Sequence, residues 1–146
     1  MPNDSFFKTM NAIHRGMLKI SGGKLGWEVQ HMPALELTTI GRKSGQRRSV
    51  MLTSPVQEGT TIVIVGSRGG DDRHPAWFLN VRDNPEVEVS MKGGPKRPMR
   101  ARVADPEERA RLWPMVTADN KQYANYQTKT TRAIPLVLLE PAAEIR

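Results

Sequence analysis

Six short stretches of strand-like sequence recur along the chain, and turn signals rather than long helices separate most of them. They fall at residues 35–40, 50–54, 61–65, 87–91, 99–103 and 134–139. The first alternates apolar and polar residues (Leu35-Glu36-Leu37-Thr38), as does 87–91, which carries Glu88 and Ser90 between apolar neighbours. Residues 61–65 (Thr-Ile-Val-Ile-Val) are instead almost continuously β-branched and apolar, the pattern of a strand covered on both faces. Gln57-Glu58-Gly59 and the segment KGGPKRP (92–98) read as hairpin turns. No regular alternation of strand and helix is present. The chain is therefore expected to be mainly β with some α, an antiparallel barrel of about six strands with helical decoration. At 146 residues it has enough chain for one such domain with one core.

Helix signals are fewer. Phe6, Met10, Ile13, Met17 and Ile20 form one apolar stripe at spacings of four and three, predicting an amphipathic helix that Gly22-Gly23 ends. This divides the chain into a helix over 1–24 and a barrel over 25–146. The helix carries Lys8, Arg15 and Lys19 on its polar side, so it could cover the barrel, pack on a partner copy or lie on an anionic membrane. A second helix is expected from Pro75 to Arg82. A third starts at Asp105-Pro106-Glu107-Glu108, where Asp105 caps and Glu108 completes a capping box, and runs to about 114–116. The segment after it reads as a polar stretch.

The chemistry the side chains can perform is limited. There is no cysteine, and the histidines at 14, 31 and 74 show no metal-ligand spacing, so no metal site is expected. Nucleophile-elbow, phosphate-loop and dinucleotide-binding patterns are all missing. An enzyme built from these residues would bind a cofactor that carries the reactive group. No stretch approaches a membrane span and no secretory leader is evident, so a cytoplasmic protein is expected.

The net charge of +7 admits an anionic partner. The densest basic segment is TTIGRKSGQRRSV (38–50), with four cations, two glycines and four hydroxyls, and there is no acid from Leu37 to Gln57. Gly41 and Gly45 would let backbone N–H groups converge on an anion, with Ser44 and Thr39 as further donors. Arg42, Lys43, Arg47 and Arg48 add charge suited to phosphate or carboxylate. A second loop, VGSRGGDDRHPAWFLN (65–80), leaves the apolar strand at Gly66 and leads to Trp77 and Phe78. A basic turn beside an aromatic wall suits a ligand with a charged tail and a flat ring. Trp77 could equally be core. A further positive cluster, Lys92, Lys96, Arg97, Arg100 and Arg102, could track nucleic acid. No aromatic residue lies between 79 and 112 to stack a base there, so no nucleic-acid partner is expected.

Three blocks, TTIGRKSGQRR, SRGG followed by HPAWFLNVRDNPEVEV, and YANYQTKTTRAIPLVLLEP, together resemble the deazaflavin-dependent nitroreductases over about residues 33–141. The resemblance implies a split β-barrel and coenzyme F420, a 5-deazaflavin whose side chain ends in phosphate and an oligoglutamate tail. It implies that Arg42, Lys43, Ser44 and Arg48 meet the phosphate and tail. Val50, Met51 and Leu52 would form the strand under the cofactor, with Met51 standing where relatives often have proline. Val65, Gly66, Ser67 and Arg68 would lie at the ring, and Ala76, Trp77 and Asn80 on the helix that closes over it. Tyr123 and Tyr126 match an aromatic pair on the substrate side, and Thr53 stands where some members have tyrosine. The implied reaction is hydride transfer from reduced F420 to an electron-poor small molecule such as a quinone, enone or nitro-aromatic, with Tyr123 or Ser67 as the donor to the acceptor oxygen. The alternatives are a flavin mononucleotide enzyme of the same fold, an F420 carrier without turnover, or a nucleic-acid-binding barrel. Barrels of this class often pair, so a homodimer is compatible with the sequence.

Overall fold

A computed structural model of the chain describes residues 28–29 and 32–142. They form strands β1 (Glu28–Val29), β2 (Met32–Ile40), β3 (Arg47–Thr53), β4 (Val56–Glu58) and β5 (Thr61–Val65), then a single 3₁₀ turn (Arg68–Gly70) and helix α1 (Ala76–Asp83). Strands β6 (Glu86–Met91) and β7 (Arg97–Val103), helices α2 (Pro106–Ala118) and α3 (Lys121–Thr128), and β8 (Leu136–Pro141) complete them. The predicted helix over 1–24 lies outside the described residues.

Every strand pairing is antiparallel. The hydrogen-bonded path runs β3-β2-β6-β7-β8-β5-β4, and β1 pairs with the start of β2. Its two ends, β3 and β4, are separated in the chain only by Ser54 and Pro55. A sheet in that order cannot lie flat, because its first and last strands are tied together by two residues. It rolls into a split barrel. Ser54 sits at the join: its N–H donates to the Pro33 carbonyl at 3.0 Å, and its buried hydroxyl lies 2.6 Å from the Val63 carbonyl and 2.9 Å from that of Val56.

The described strands number eight rather than about six, because β1 and β4 are too short to show a period in sequence. The strand pattern otherwise transfers well. Successive residues of β5 and β8 enter different cores. Ile62, Ile64, Val137 and Leu139 line the barrel interior with Leu35, Leu37, Val87 and Val89, where α1 adds Trp77, Phe78 and Val81. Val63, Val65, Leu136 and Leu138 pack outward on Leu112, Val116 and Tyr123 of α2 and α3. The apolar run at 61–65 is thus covered on both faces, as expected.

Asp105 caps α2, accepting from the Glu108 N–H at 2.9 Å, with Pro106 at the first helical position. Helix α3 replaces the expected polar stretch. Only Tyr123 of its eight residues is buried, so it has no apolar stripe to reveal it, and packing rather than propensity holds it in place.

Candidate functional site

The turn joining β2 to β3 is a closed structure. Gly41 N–H donates to the Gln46 carbonyl at 2.7 Å, and Gly45 N–H to that of Gly41 at 2.8 Å. Gly45 adopts φ +71°, a conformation glycine takes without strain. Gln46 N–H donates to Ser44 Oγ at 3.1 Å and Arg42 N–H to Asn80 Oδ1 at 3.1 Å. Gly41, Arg42, Gly45 and Gln46 therefore all donate within the protein. What the turn offers an anion is chiefly side chains, rather than the backbone nest expected from its glycines.

Period two along β3 sorts those side chains. Arg48 pairs with Thr39, Val50 with Leu37 and Leu52 with Leu35, all on the face that packs toward the barrel interior. Arg47 and Met51 lie on the other face, where Arg47 forms an ion pair with Glu88 of β6. Of the two adjacent arginines only Arg48 shares a face with Val50 and Leu52. Met51 is buried, and its pairing with Glu36 lies in an unbroken register from Ala34–Thr53 to Ile40–Arg47, so methionine here leaves the ladder regular.

The buried carboxamide of Asn80 links this turn to α1. Its Nδ2 donates to Thr39 Oγ1 at 3.0 Å while its Oδ1 takes the Arg42 N–H. The turn and the helix that starts at the second loop are thereby brought together. On that helix Ala76 is exposed, whereas Trp77 is buried in the barrel core, edge-on to Phe78 at 6.3 Å.

The second loop is held from inside. Arg68 takes a positive φ of 46° and is buried, its guanidinium 2.6 Å from Asp71. Arg132, in the segment before β8, reaches across to the same loop. It donates to the carbonyls of Gly66 (3.1 Å), Ser67 (2.8 Å) and Asp71 (2.9 Å) and meets His74 Nδ1 at 3.2 Å. Hydrogen bonding from the Arg73 backbone holds the Asp71 carboxyl below the usual carboxylate range against its burial, with Arg68 adding to the effect. Burial lowers the pKa of His74, and the charges of Arg132 and Arg82 lower it further. Since an arginine can only donate, His74 Nδ1 accepts and its ring is neutral. Neither Arg132 nor Asp71 stands out in sequence as a site residue. Only the distance between 66–74 and 132 closed by the fold reveals them.

Tyr123 lies on the far side of β5 and β8 from the barrel interior, in the second core. Its hydroxyl donates to Met32 Sδ at 3.6 Å, and burial pushes its pKa up, so it remains a neutral donor. Tyr126 meets it edge-on at 6.1 Å. The 3₁₀ turn reaches α3 closely: a Cβ on Gly70 would fall 2.7 Å from the Tyr126 carbonyl oxygen. A cleft of about 400 Å³ is lined by Met32, the partner of the Tyr123 hydroxyl, with Pro33, Ser54 and Asn120 among others.

In the other positive cluster, Arg102 and Lys96 have acid partners. Arg102 is bound by Glu108 at 2.5 Å and Glu140 at 2.9 Å, and Lys96 approaches Glu36 at 3.9 Å. No group of metal-binding side chains occurs among the described residues, and no described helix is long and apolar enough to cross a membrane.

Residues 10–141 match the family model of the F420H(2)-dependent quinone reductases. The chain belongs to that family. It is thus an oxidoreductase whose cofactor is coenzyme F420. An F420H(2)-dependent quinone reductase of Mycobacterium tuberculosis is 40% identical over 134 residues, covering 88% of this chain and 85% of its own. Among solved structures, an F420-H2-dependent reductase is 39% identical with a TM-score of 0.65, covering 74% of this chain and 94% of its own. Another, described as a domain-swapped dimer, is 35% identical with a TM-score of 0.67, covering 90% and 99%. Arg42, Lys43 and Arg48 are exposed at one end of β2 and β3, in a stretch without an acid.

Proposed function

We propose that this F420H(2)-dependent quinone reductase grips the phosphate and acidic tail of its cofactor with Arg42, Lys43, Ser44 and Arg48. The strand Val50-Met51-Leu52 would run beneath the ring, with Val65, Gly66, Ser67 and Arg68 along its edge, and Ala76, Trp77 and Asn80 on the closing helix. The observation that supports the reading is the Asn80 carboxamide, which joins the basic turn to α1, the helix assigned to the ring. Asn80 acts there through the turn, and Trp77 through its packing beneath the helix. When bound, the reduced deazaflavin supplies a hydride from C5. The protein's part is to orient both reactants, exclude water and provide a hydrogen bond where negative charge develops on the acceptor oxygen. Ser67, half-buried in the loop, and the neutral Tyr123 hydroxyl are the donors assigned to that task.

The acceptor is a quinone-type small molecule. Enones and nitro-aromatics are within the same chemistry, since each accepts a hydride at an electron-poor atom. A pairing of two chains is supported by the related domain-swapped dimer, and the basic, apolar-striped segment 1–24 supports contact of a cytoplasmic enzyme with a quinone-bearing membrane. Titration of the protein with F420 and with flavin mononucleotide tests the cofactor reading. F420 should bind at micromolar concentration or tighter, and preferential binding of the flavin would overturn it. Reduced F420 mixed with menadione should then be oxidised only when the protein is added; binding without oxidation would leave a carrier.

A further inference from the structure

The loop that leaves β5 is shaped by a residue more than sixty positions away. One guanidinium, that of Arg132, takes the carbonyls of Gly66, Ser67 and Asp71 and the ring nitrogen of His74. Three backbone carbonyls converging on one point is a costly arrangement without a cation at the centre. It recurs here beside a second cost, the positive φ of Arg68. The loop contributes two bonds of its own to this shape, Gly70 N–H to the Ser67 carbonyl at 2.9 Å and Asp71 N–H to that of Arg68 at 3.1 Å.

Arg132 is itself anchored from behind, on α2 and α3. Its carbonyl accepts from Gln127 Nε2 at 2.8 Å, and its N–H lies 3.3 Å from Thr130 Oγ1. Gln127 Oε1 takes the Ile134 N–H at 2.9 Å and Arg109 Nη2 at 3.0 Å, and Arg109 Nε holds the Ile134 carbonyl at 2.9 Å. The segment 130–134 is thus pinned to α2 and α3, so the arginine imposes a position on the loop rather than following it.

A planar trans peptide carries its carbonyl and N–H on opposite sides. Drawing the carbonyls of Gly66 and Ser67 onto Arg132 turns the N–H groups of Ser67 and Arg68 the other way. Ser67 is right-handed (φ −78°, ψ −37°) and Arg68 takes positive φ. Right-handed then left-handed backbone brings neighbouring N–H groups together, as in anion-binding nests.

We propose that Arg132 is a positioning residue for hydride transfer: by fixing peptides 66–68 from a support built on α2 and α3, it sets the place of Ser67 relative to the reacting groups. The proposal rests on the reading above that this loop meets the ring. It requires the planar fork of arginine, since one ammonium group cannot reach carbonyls on both sides of the loop.

The test compares Arg132→Met and Arg132→Lys with the wild-type full chain, using thermal melting to confirm the fold, F420 titration, turnover with menadione, and amide hydrogen exchange. Exchange at Gly70 and Asp71 should accelerate in both variants while the β5 amides stay protected. Turnover should fall by about tenfold to a hundredfold, and by more than the affinity for F420, because the basic turn assigned to the cofactor's tail shares no contact with Arg132. If Arg132→Met does not fold, Arg132→Lys carries the same comparison. Unchanged exchange at Gly70 and Asp71 would overturn the clamp while leaving the ring site standing. Faster exchange with unchanged turnover would instead sink the assignment of the loop to the ring, and the positioning role with it. Full recovery in Arg132→Lys would overturn the requirement for the fork.

Discussion

Arg47 and Arg48 are chemically identical neighbours with different surroundings, and the difference arises from the pleat alone. Arg48 shares its face with Val50 and Leu52, whereas Arg47 is spent on Glu88. Arg48→Ala should weaken F420 binding by about 1.5–3 kcal/mol, the range of a charge-assisted hydrogen bond. Arg47→Ala should change it by no more than about 0.5 kcal/mol, as expected for an exposed ion pair remote from the ligand. Titration of both variants checks the pair, and equal losses would refute the facial assignment. Asn80 acts at the same scale but by another route. Asn80→Ala leaves the Arg42 N–H and Thr39 hydroxyl without this buried partner. It should cost about 1–3 kcal/mol of stability by denaturant unfolding and weaken F420 binding as the turn loosens. Aspartate at this position would keep the acceptor for Arg42 but lose the donor to Thr39, so it should recover only part of the affinity.

At the scale of elements, the loop between β5 and α1 carries a pH dependence that can be worked out from His74. Its pKa lies below the ordinary value of 6.5, chiefly through burial. Above 6.5 the ring is neutral folded or unfolded. As pH falls below 6.5 the unfolded chain takes up a proton that the folded chain refuses, so stability declines until the folded pKa is passed. The lowered carboxyls, Glu58, Asp71 and Glu140, contribute stability that is lost only at more acid pH, as they protonate. The melting temperature of the wild type should therefore begin to drop as pH falls through 6.5, and His74→Gln, which keeps an acceptor for Arg132 but does not titrate, should flatten that drop. A drop of the same size in the variant would remove His74 as its source. Protonation would also set a charged ring against the Arg132 guanidinium, so the loop is where acid should be felt first.

For the whole molecule, closure depends on the short link between β3 and β4. Ser54→Ala removes the hydroxyl that lies between the Val56 and Val63 carbonyls and accepts from Gln57 Nε2. It should destabilise the barrel by about 1–3 kcal/mol in a urea titration, with F420 affinity unchanged because the basic turn lies at the opposite end of β3. Loss of affinity at full stability would contradict that separation. These sites also mark how much was legible beforehand. Period two and the β-branched run at 61–65 displayed the barrel, since each strand's burial is written in its own residues. The basic turn showed its charge for the same reason. Helix α3 did not show, because one buried residue in eight leaves no period. Arg132 and Ser54 could not show, because the closed barrel brings near their partners at 66–74 and at Pro33 and Val63. The glycines of the turn misled in part: they permit a backbone nest, but Asn80 and the turn's own carbonyls occupy several of its donors.

The doubly covered wall of β5 and β8 has a consequence for how such an enzyme can change. The turn and α1 belong to the core on one side of it, and Tyr123 with α2 and α3 to the core on the other. Residues facing outward can be exchanged and repacked without altering the side chains that face inward. A lineage of such proteins can therefore vary the Tyr123 side of the wall while inheriting, unaltered, the packing beneath α1.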